Sequence, residues 1–207
     1  MIYTDRAAAG RALGAELGHL RASDPLVLGL PRGGVPVAAG VREIIGGDLD
    51  ILLVRKLGVP WQPELAMGAI GEDGTRVLNR DVLGHISVAP AEFADIEHAE
   101  RGELERRRAV WRGDRAPIPL TGRTVLIVDD GMATGATVVV ACRVARMREP
   151  ARIVVAVPVS SSEAMDRVAL ECDELVCPSV PESLGGVGTA YQDFHQLADD
   201  EVTALLD

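Results

Sequence analysis

Short aliphatic runs alternate along the chain with longer segments of helical periodicity. The aliphatic runs are too short for helices and predict strands buried on both faces, at residues 26–30, 49–54, 125–128, 152–159 and 175–177. Between these runs, apolar positions recur at helical spacing and predict helices over residues 5–22, 35–45 and 138–147, with another helix beginning in the serine run at 160–162. Strands that alternate with helices through short loops imply a parallel sheet with right-handed crossovers.

Residues 58–79 interrupt this alternation and predict a β-hairpin. Apolar runs at residues 65–70 and 75–78 flank Glu72, Asp73 and Gly74, which form a typical turn sequence. Residues 88–115 then become strongly charged, and they predict a long exposed helix. Its arginine cluster at residues 106–108 is interleaved with glutamates, so we interpret this helix as solvated or dimer-facing.

Residues 124–137, TVLIVDDGMATGAT, join a strand to a helix through an acidic tip and a glycine-rich loop. Backbone N–H groups at a helix N-terminus are unpaired and, with the helix dipole behind them, attract phosphate. The adjacent carboxylates of Asp129 and Asp130 can accept hydrogen bonds from a sugar diol, or hold Mg²⁺ through water. A simpler alternative is that Asp130 and Thr134 cap the helix while the glycines turn the chain. Because a cap needs only one such residue, the whole string favours a site for a phosphorylated sugar.

Two further loops follow predicted strands. In PRGG, residues 31–34, two glycines let the backbone approach a ligand closely, and Arg32 adds a planar fork suited to phosphate oxygens. Arg55 and Lys56 follow the strand at 49–54, and Lys56 is the only lysine in the chain. Taken alone, each loop is also compatible with ordinary turn chemistry or solvated charge. Because parallel strands end at one edge of a sheet, we expect Arg32, Lys56 and Asp129 to converge there.

Composition narrows the function classes. With 207 residues, 47% of them hydrophobic, the chain can bury a substantial core, and we expect residues 1–207 to form a single domain. A formal net charge of −10 argues against binding to nucleic acid or to an anionic membrane surface. There is no apolar run long enough to span a bilayer and no apolar signal core, so we expect a cytoplasmic protein. The three cysteines and four histidines show no zinc spacing, and no structural metal is predicted.

The string VLIVDDGMATGAT resembles the phosphoribosyl pyrophosphate (PRPP) signature of type I phosphoribosyltransferases. The resemblance implies an α/β fold in which helices flank a parallel sheet, with a flexible hairpin lid at residues 58–80 and a small hood or tail at 178–207. It also implies transfer of the 5-phosphoribosyl group from PRPP to a nitrogenous base or related acceptor, with release of pyrophosphate. Asp129 and Asp130 would contact the ribose hydroxyls and hold Mg²⁺ through water. The 5-phosphate would be bound by Ala133, Thr134, Gly135, Ala136 and Thr137.

The resemblance extends to the other two loops. It implies that Arg32, Gly33 and Gly34 bind pyrophosphate, often through an unusual peptide geometry in this family. VRKLG resembles an element that precedes the mobile catalytic loop in several relatives, which implies that Arg55 contacts pyrophosphate and Lys56 acts in catalysis. The chain departs from the family at Gly131, where an aliphatic residue is more usual. It also departs at Val59, where some relatives carry a lysine.

Other functions remain open at this stage. A PRPP-sensing regulatory or binding protein would keep the same site without turnover. A sugar-phosphate hydrolase would need an added nucleophile or metal cluster, and the sequence contains neither. Receiver domains and P-loop proteins need a lysine downstream of the aspartates or within the phosphate loop, whereas Lys56 lies upstream. The expected partners are PRPP, a small-molecule acceptor and a second copy in a homodimer. In the tail, Tyr191 stacks on the acceptor or anchors the segment with Phe194.

Overall fold

The computed structural model describes residues 2–206. The strands are β1 (Leu26–Gly29), β2 (Asp48–Ile51), β3 (Val54–Val59), β4 (Gln62–Gly71), β5 (Arg76–Leu78), β6 (Thr124–Val128), β7 (Arg152–Ala156) and β8 (Glu174–Val176). The α-helices are α1 (Arg6–Glu16), α2 (Gly34–Ile45), α3 (Arg80–His85), α4 (Pro90–Trp111), α5 (Ala136–Arg146), α6 (Ser162–Ala169) and α7 (Asp199–Thr203). Two 3₁₀ turns cover Gly18–Ser23 and Val187–Ala190.

A five-stranded sheet with the order β2-β1-β6-β7-β8 forms the centre of the fold, and all its strands are parallel. Successive residues of a strand enter opposite cores, as the pleat requires. Leu28 and Ile127 pack in the core beneath α5 and α6, whereas Val27 and Leu126 pack beneath α1 and α2. Since helices cover both faces, the strands read as continuous apolar runs. The predicted α/β fold, a parallel sheet flanked by helices, is confirmed.

The strand predicted over residues 49–54 is wrong in its extent. β2 ends at Ile51, and Val54 already belongs to β3 in a second, antiparallel sheet of order β3-β4-β5. Leu52 and Leu53, between them, are both buried, so the apolar run continues through the bend without a polar residue to mark it. As a result, Arg55 and Lys56 lie inside β3 and not at the tip of a parallel strand.

The hairpin predicted around Glu72, Asp73 and Gly74 is present as β4 and β5. Gly74 has φ of 84°, a backbone conformation that favours glycine. β3 extends this hairpin into three strands, and its pairing with β4 shifts register around Gly58. The sheet packs on α5 through Ala69 and Val140. Flexibility of this segment stays a prediction.

Buried ion pairs fix the base of this hairpin sheet to the main sheet. Arg112, just beyond α4, donates to Asp50 in β2 at 2.8 Å and to Glu72 in the β4–β5 turn at 2.6 Å. It also donates to the carbonyl of Ile51 at 2.8 Å. Burial raises the pKa of Glu72 even though the Arg112 guanidinium opposes that shift. Arg112 therefore links three segments of the chain: the end of α4, strand β2 and the β4–β5 turn.

The long helix predicted at residues 88–115 is observed as α4. Most of its surface is exposed, but Leu104 and Trp111 are buried against the hairpin sheet and the tail. Across residues 2–206, the helices are all too short or too polar to cross a lipid bilayer.

Candidate active site

The acidic pair lies directly against the loop that follows β1. A Cβ atom added to Gly33 would stand 1.9 Å from Oδ2 of Asp130, and one added to Gly34 would stand 2.5 Å from the carbonyl oxygen of Val128. Neither position can accept a side chain without moving the other loop. The two glycines of PRGG thus allow the carboxyl ends of β1 and β6 to bring their loops into contact.

Asp130 is also held from the amino-terminal side of the fold. Nε of Arg6, in the first turn of α1, lies 2.9 Å from Oδ2 of Asp130, and both side chains are largely buried. The second Arg6 contact, from Nη1, reaches the carbonyl of His195 at 3.0 Å. Tyr191 donates its hydroxyl to the carbonyl of Asp130 at 2.6 Å. Asp130 is therefore held by α1 at its carboxylate and by the tail at its main-chain carbonyl, and Tyr191, being buried, anchors the tail.

Burial dominates the electrostatics of the pair. It raises the pKa of Asp129, and the neighbouring charge of Asp130 raises it further. Burial also raises the pKa of Asp130, although Arg6 opposes that shift. Oδ1 of Asp129 accepts the backbone N–H of Asp130 at 2.9 Å. Two crowded carboxylates with one arginine favour hydroxyl donors or a cation, either of which would relieve their repulsion.

The loop from Ala133 to Thr137 leads into the N-terminus of α5. Gly135 is the N-cap with φ of 71°, and the side chain of the preceding Thr134 accepts the N–H of Ala136, the first residue of α5, through Oγ1 at 3.4 Å. The loop is held from behind through its carbonyls: Ser161 donates to Ala133 at 2.8 Å and Arg167 to Thr134 at 2.6 Å. Neither contact uses a backbone N–H. Because these two contacts use carbonyls, N–H groups at the start of α5 can face an anion, although the N–H of Ala136 is already engaged by Thr134.

Gly131, where the signature that the sequence resembles has an aliphatic residue, lies against packed side chains. A Cβ at this position would stand 2.6 Å from Cγ1 of Val187 and 2.9 Å from Cγ1 of Val159. The tail and the strand extension after β7 therefore occupy the space that an aliphatic side chain would fill. Glycine here lets the tail pack against the acidic pair.

Arg32 is directed towards the tail. The peptide bond between Pro31 and Arg32 is cis. Nη1 of Arg32 donates to the carbonyl of Leu197 at 2.9 Å, and Nε lies 3.2 Å from Oδ1 of Asp199. The same Asp199 oxygen accepts the indole N–H of Trp111 at 2.8 Å. Of the predicted pyrophosphate-binding residues, Gly33 and Gly34 thus contact the acidic pair, while Arg32 connects the loop to α7.

Arg55 and Lys56 line a separate cavity of about 570 Å³ between the hairpin sheet and α4. Nε of Arg55 forms an ion pair with Oε2 of Glu100 at 2.5 Å. Pro31 and Thr137 also line this cavity, so it opens towards both predicted phosphate-binding loops. Lys56 therefore approaches these loops from within a strand of the hairpin sheet, and its convergence with Arg32 and Asp129 stays a prediction.

A second cavity of about 460 Å³ lies between the PRGG loop, α4 and the tail, and we call it the arginine cavity. Its lining comprises Arg6, Pro31, Arg32, Gly33, Arg107, Trp111 and residues 194–197. Pro31, Arg107 and Trp111 line both cavities, which are thus neighbours.

Comparison with known proteins decides the family. A family model for the phosphoribosyl transferase domain matches residues 2–192. The chain belongs to this family. A Mycobacterium tuberculosis protein with the provisional name phosphoribosyl transferase Rv0571c is 49% identical over 206 residues, which is all of this chain and 46% of that protein. This chain therefore spans about half the length of that relative.

Two more similarities agree with the family. The bifunctional protein PyrR of Chloroflexus aurantiacus is 34% identical over 128 residues, covering 59% of this chain and 63% of PyrR. The crystal structure of TT1426 from Thermus thermophilus matches with a TM-score of 0.93 and 42% identity, covering 100% of this chain and 98% of that chain.

Sequence patterns missed several residues that surround this candidate site. Arg6 was assigned only to a helix that covers the sheet, and nothing in its local sequence indicates a partner 124 residues away. Arg107 and Trp111 were assigned to an exposed or dimer-facing helix. The available signal was a tryptophan in an otherwise charged segment, because a large ring there requires a buried partner surface.

The donor set is compatible with the Mg²⁺ that the family implies. Within residues 2–206, no group of three or more His, Cys, Asp or Glu side chains could hold a metal alone. Asp129 and Asp130 supply carboxylate oxygens on one side only, and Arg6 already engages Oδ2 of Asp130. Mg²⁺ commonly binds through one or two carboxylates, several waters and substrate phosphates. The pair therefore fits an ion brought in with a substrate and held through water.

Proposed function

We propose that this protein transfers the 5-phosphoribosyl group of PRPP to a nitrogen acceptor and releases pyrophosphate. The observation that carries the proposal is the direct contact between the PRGG loop and the acidic pair, at Gly33 and Asp130. PRPP carries pyrophosphate and a vicinal diol on adjacent carbons of one ring. A backbone loop and a carboxylate pair in contact match that spacing.

Different residues then bind different parts of PRPP. Backbone N–H groups of residues 133–137 and the α5 dipole bind the 5-phosphate. Asp129 and Asp130 accept hydrogen bonds from the ribose hydroxyls. Gly33 and Gly34 offer backbone donors to pyrophosphate, with Arg32, Arg55 and Lys56 as the surrounding cations.

In the reaction, a lone pair on the acceptor nitrogen forms a bond to the anomeric carbon. The bond from that carbon to the pyrophosphate oxygen breaks, and its electron pair leaves with pyrophosphate. The acceptor's N–H proton is released to solvent. Asp129 and Asp130 stabilise the positive charge that develops on the ribosyl ring, which is their catalytic role. Mg²⁺, when bound, would neutralise charge on the pyrophosphate.

The test is pyrophosphate release from PRPP with and without Mg²⁺, across a panel of nitrogen acceptors and a control without acceptor. PRPP binding is measured in parallel by calorimetry. Asp129→Asn and Asp130→Asn are compared with Asp166→Asn, which changes an exposed carboxylate on α6. We expect acceptor-dependent release that both site variants lose and the α6 variant keeps.

The other outcomes separate the alternatives. PRPP binding without release by any acceptor would favour a PRPP sensor over a transferase. Failure to bind PRPP would refute the assignment of the site itself.

A further inference from the structure

We propose that Arg167 and Ser161 are positioning residues for the 5-phosphate of PRPP, because they fix the direction in which the loop at residues 133–137 points its N–H groups. This inference rests on the proposed function, and it adds two residues from outside the loop to the site. Both belong to the segment that follows β7: Ser161 is the N-cap of α6, and Arg167 lies in the last turn of that helix.

The phosphate loop lies directly on the α6 segment. At the start of the loop, the N–H of Met132 donates to the carbonyl of Val159 at 2.9 Å, and its carbonyl accepts the N–H of Ser161 at 3.0 Å. At the end of the loop, a Cβ added to Gly135 would stand 3.0 Å from Cγ2 of Val168. One side of the loop is therefore in contact with protein from end to end.

Two side chains of this segment hold successive peptide groups of the loop. Ser161 donates its hydroxyl to the carbonyl of Ala133 at 2.8 Å, and Nη1 of Arg167 donates to the carbonyl of Thr134 at 2.6 Å. These peptide bonds are trans, and in a planar trans peptide the C=O and the N–H point in opposite directions. The N–H groups of Thr134 and Gly135 are therefore directed away from α6.

These two N–H groups are available to a ligand. Among residues 2–206, neither the N–H of Thr134 nor that of Gly135 donates to a protein acceptor. The next N–H, that of Ala136, is already engaged by Oγ1 of Thr134. Adjacent backbone donors that point to the same side suit the oxygens of a phosphate. The contacts with α6 thus orient the two donors that the protein itself leaves unused.

Arg167 also supplies charge that the loop lacks. Residues 131–137 contain no charged side chain, whereas a phosphate monoester carries a charge of about −1.5 to −2 at neutral pH. Hydrogen bonds at the two ends of one peptide group polarise each other, so a cation on the carbonyl of Thr134 makes the N–H of Gly135 a stronger donor. The Glu163 partner of Arg167 is 80% exposed, and such a pair is weak. The guanidinium therefore acts on the 5-phosphate through the peptide.

The test uses two probes that occupy different parts of the site. Ribose 5-phosphate engages the loop at residues 133–137, and inorganic pyrophosphate engages the PRGG loop. The affinity of each probe is measured by calorimetry for the wild type, Arg167→Met and Arg167→Lys. Arg146→Met is the matched control, because the Arg146 side chain is 44% exposed, as is that of Arg167, and also forms a surface ion pair, with Asp173.

We expect Arg167→Met to weaken ribose 5-phosphate about fivefold, through the loss of a charge-assisted hydrogen bond at a partly exposed side chain. Arg167→Lys should recover part of this loss, since it keeps the charge and a donor. Arg146→Met should stay within about twofold of the wild type, and pyrophosphate affinity should be unchanged in all three variants.

Ser161 is tested in the same way. Ser161→Ala should weaken ribose 5-phosphate about threefold, the loss of a neutral hydrogen bond, and should leave pyrophosphate unchanged. It also removes the cap of α6, because Oγ of Ser161 accepts the N–H of Ala164 at 3.1 Å. Loss of the cap lowers stability, whereas a selective effect on ribose 5-phosphate reports the contact with the loop. Ser162→Ala, at the exposed neighbouring serine, is the control.

Three results would overturn the inference: no binding of ribose 5-phosphate by the wild type, equal affinities for it in Arg167→Met and Arg146→Met, or equal weakening of both probes by Arg167→Met. Binding of ribose 5-phosphate needs neither an acceptor nor turnover. A protein that shows the Arg167 effect but never releases pyrophosphate from PRPP would therefore support this inference and refute the transferase. Turnover of PRPP without the Arg167 effect would do the reverse.

Discussion

Arg6 and Asp130 form a buried ion pair at 2.9 Å between the first turn of α1 and the end of β6. Oδ2 is the carboxylate oxygen that takes part. An arginine that engages one oxygen of a carboxylate fixes its orientation, and here it also opposes the rise in the pKa of Asp130 that burial causes. Arg6 is therefore a positioning residue that acts through Asp130.

Replacement of Arg6 by glutamine should lower kcat/KM for PRPP about tenfold, because Asp130 loses its orientation. Arg6→Lys should recover part of the loss, since it keeps the charge but not the fork. The control is Arg11→Gln, on the exposed side of α1 and 3.7 Å from Glu43. Steady-state kinetics for the three variants decide the matter: equal effects of Arg6→Gln and Arg11→Gln would assign Arg6 to folding alone.

The two aspartates should differ in their effect on stability. Asp130→Asn leaves Arg6 buried without its counter-ion and should destabilise the fold by about 3 kcal/mol. Asp129→Asn removes a buried charge beside Asp130 and should stabilise it at neutral pH, because the raised pKa means that ionisation of Asp129 opposes folding. Denaturant unfolding measures both. Destabilisation by Asp129→Asn would show that its carboxylate is paired in solution.

Gly33→Ala should abolish PRPP binding. Its Cβ would stand 1.9 Å from Oδ2 of Asp130, and the PRGG loop and the acidic pair would have to separate. Gly84→Ala is the control: it places a methyl group in open space in α3 and should be neutral or stabilising. Calorimetry with PRPP distinguishes the two. Retention of PRPP affinity in Gly33→Ala would mean that the loops need not touch.

Arg112→Met should be among the most destabilising single changes, by about 3–5 kcal/mol, because Asp50 and Glu72 would keep buried charges without a cation. Chemical unfolding at neutral pH provides the measurement. A loss below about 1 kcal/mol would show that water can replace the guanidinium.

The pH dependence of the unfolding free energy should reveal the titration of Glu72. Its pKa is raised by burial, so its contribution to stability is full below its unfolded pKa and is lost as pH rises through the folded one. The difference in unfolding free energy between wild type and Glu72→Gln should therefore fall as pH rises from acid to neutral. A difference that grows with pH would mean that the pairing with Arg112 outweighs burial.

The strands and the phosphate loop could be predicted because their signals are local. β6 is a continuous apolar run that ends in two carboxylates, and Gly135 stands where the chain turns into α5. The same locality explains the error at residues 49–54. No turn residue separates β2 from β3, so apolar pattern alone cannot reveal that the chain changes sheets at Leu52.

Long-range partners could not be predicted in this way. The pairing of Arg6 with Asp130 depends on how α1 packs across the sheet, and the position of Arg107 depends on where α4 crosses the site. Gly131 is a second example of this limit. Its departure from the family pattern was visible in the sequence, but its cause is the position of Val187, more than fifty residues later.

The tail meets the two loops through its main chain. Arg6 donates to the carbonyl of His195 and Arg32 to that of Leu197, so these contacts determine the path of the backbone but not the side chains it carries. The side chains of the same residues form a wall of the arginine cavity. The main-chain contacts that fix the tail are therefore separate from the side chains that line the cavity. A substitution at Gln196 can change the shape of the cavity without changing the path of the backbone. Variation in these side chains can therefore alter the cavity without disturbing the contacts that position Asp130.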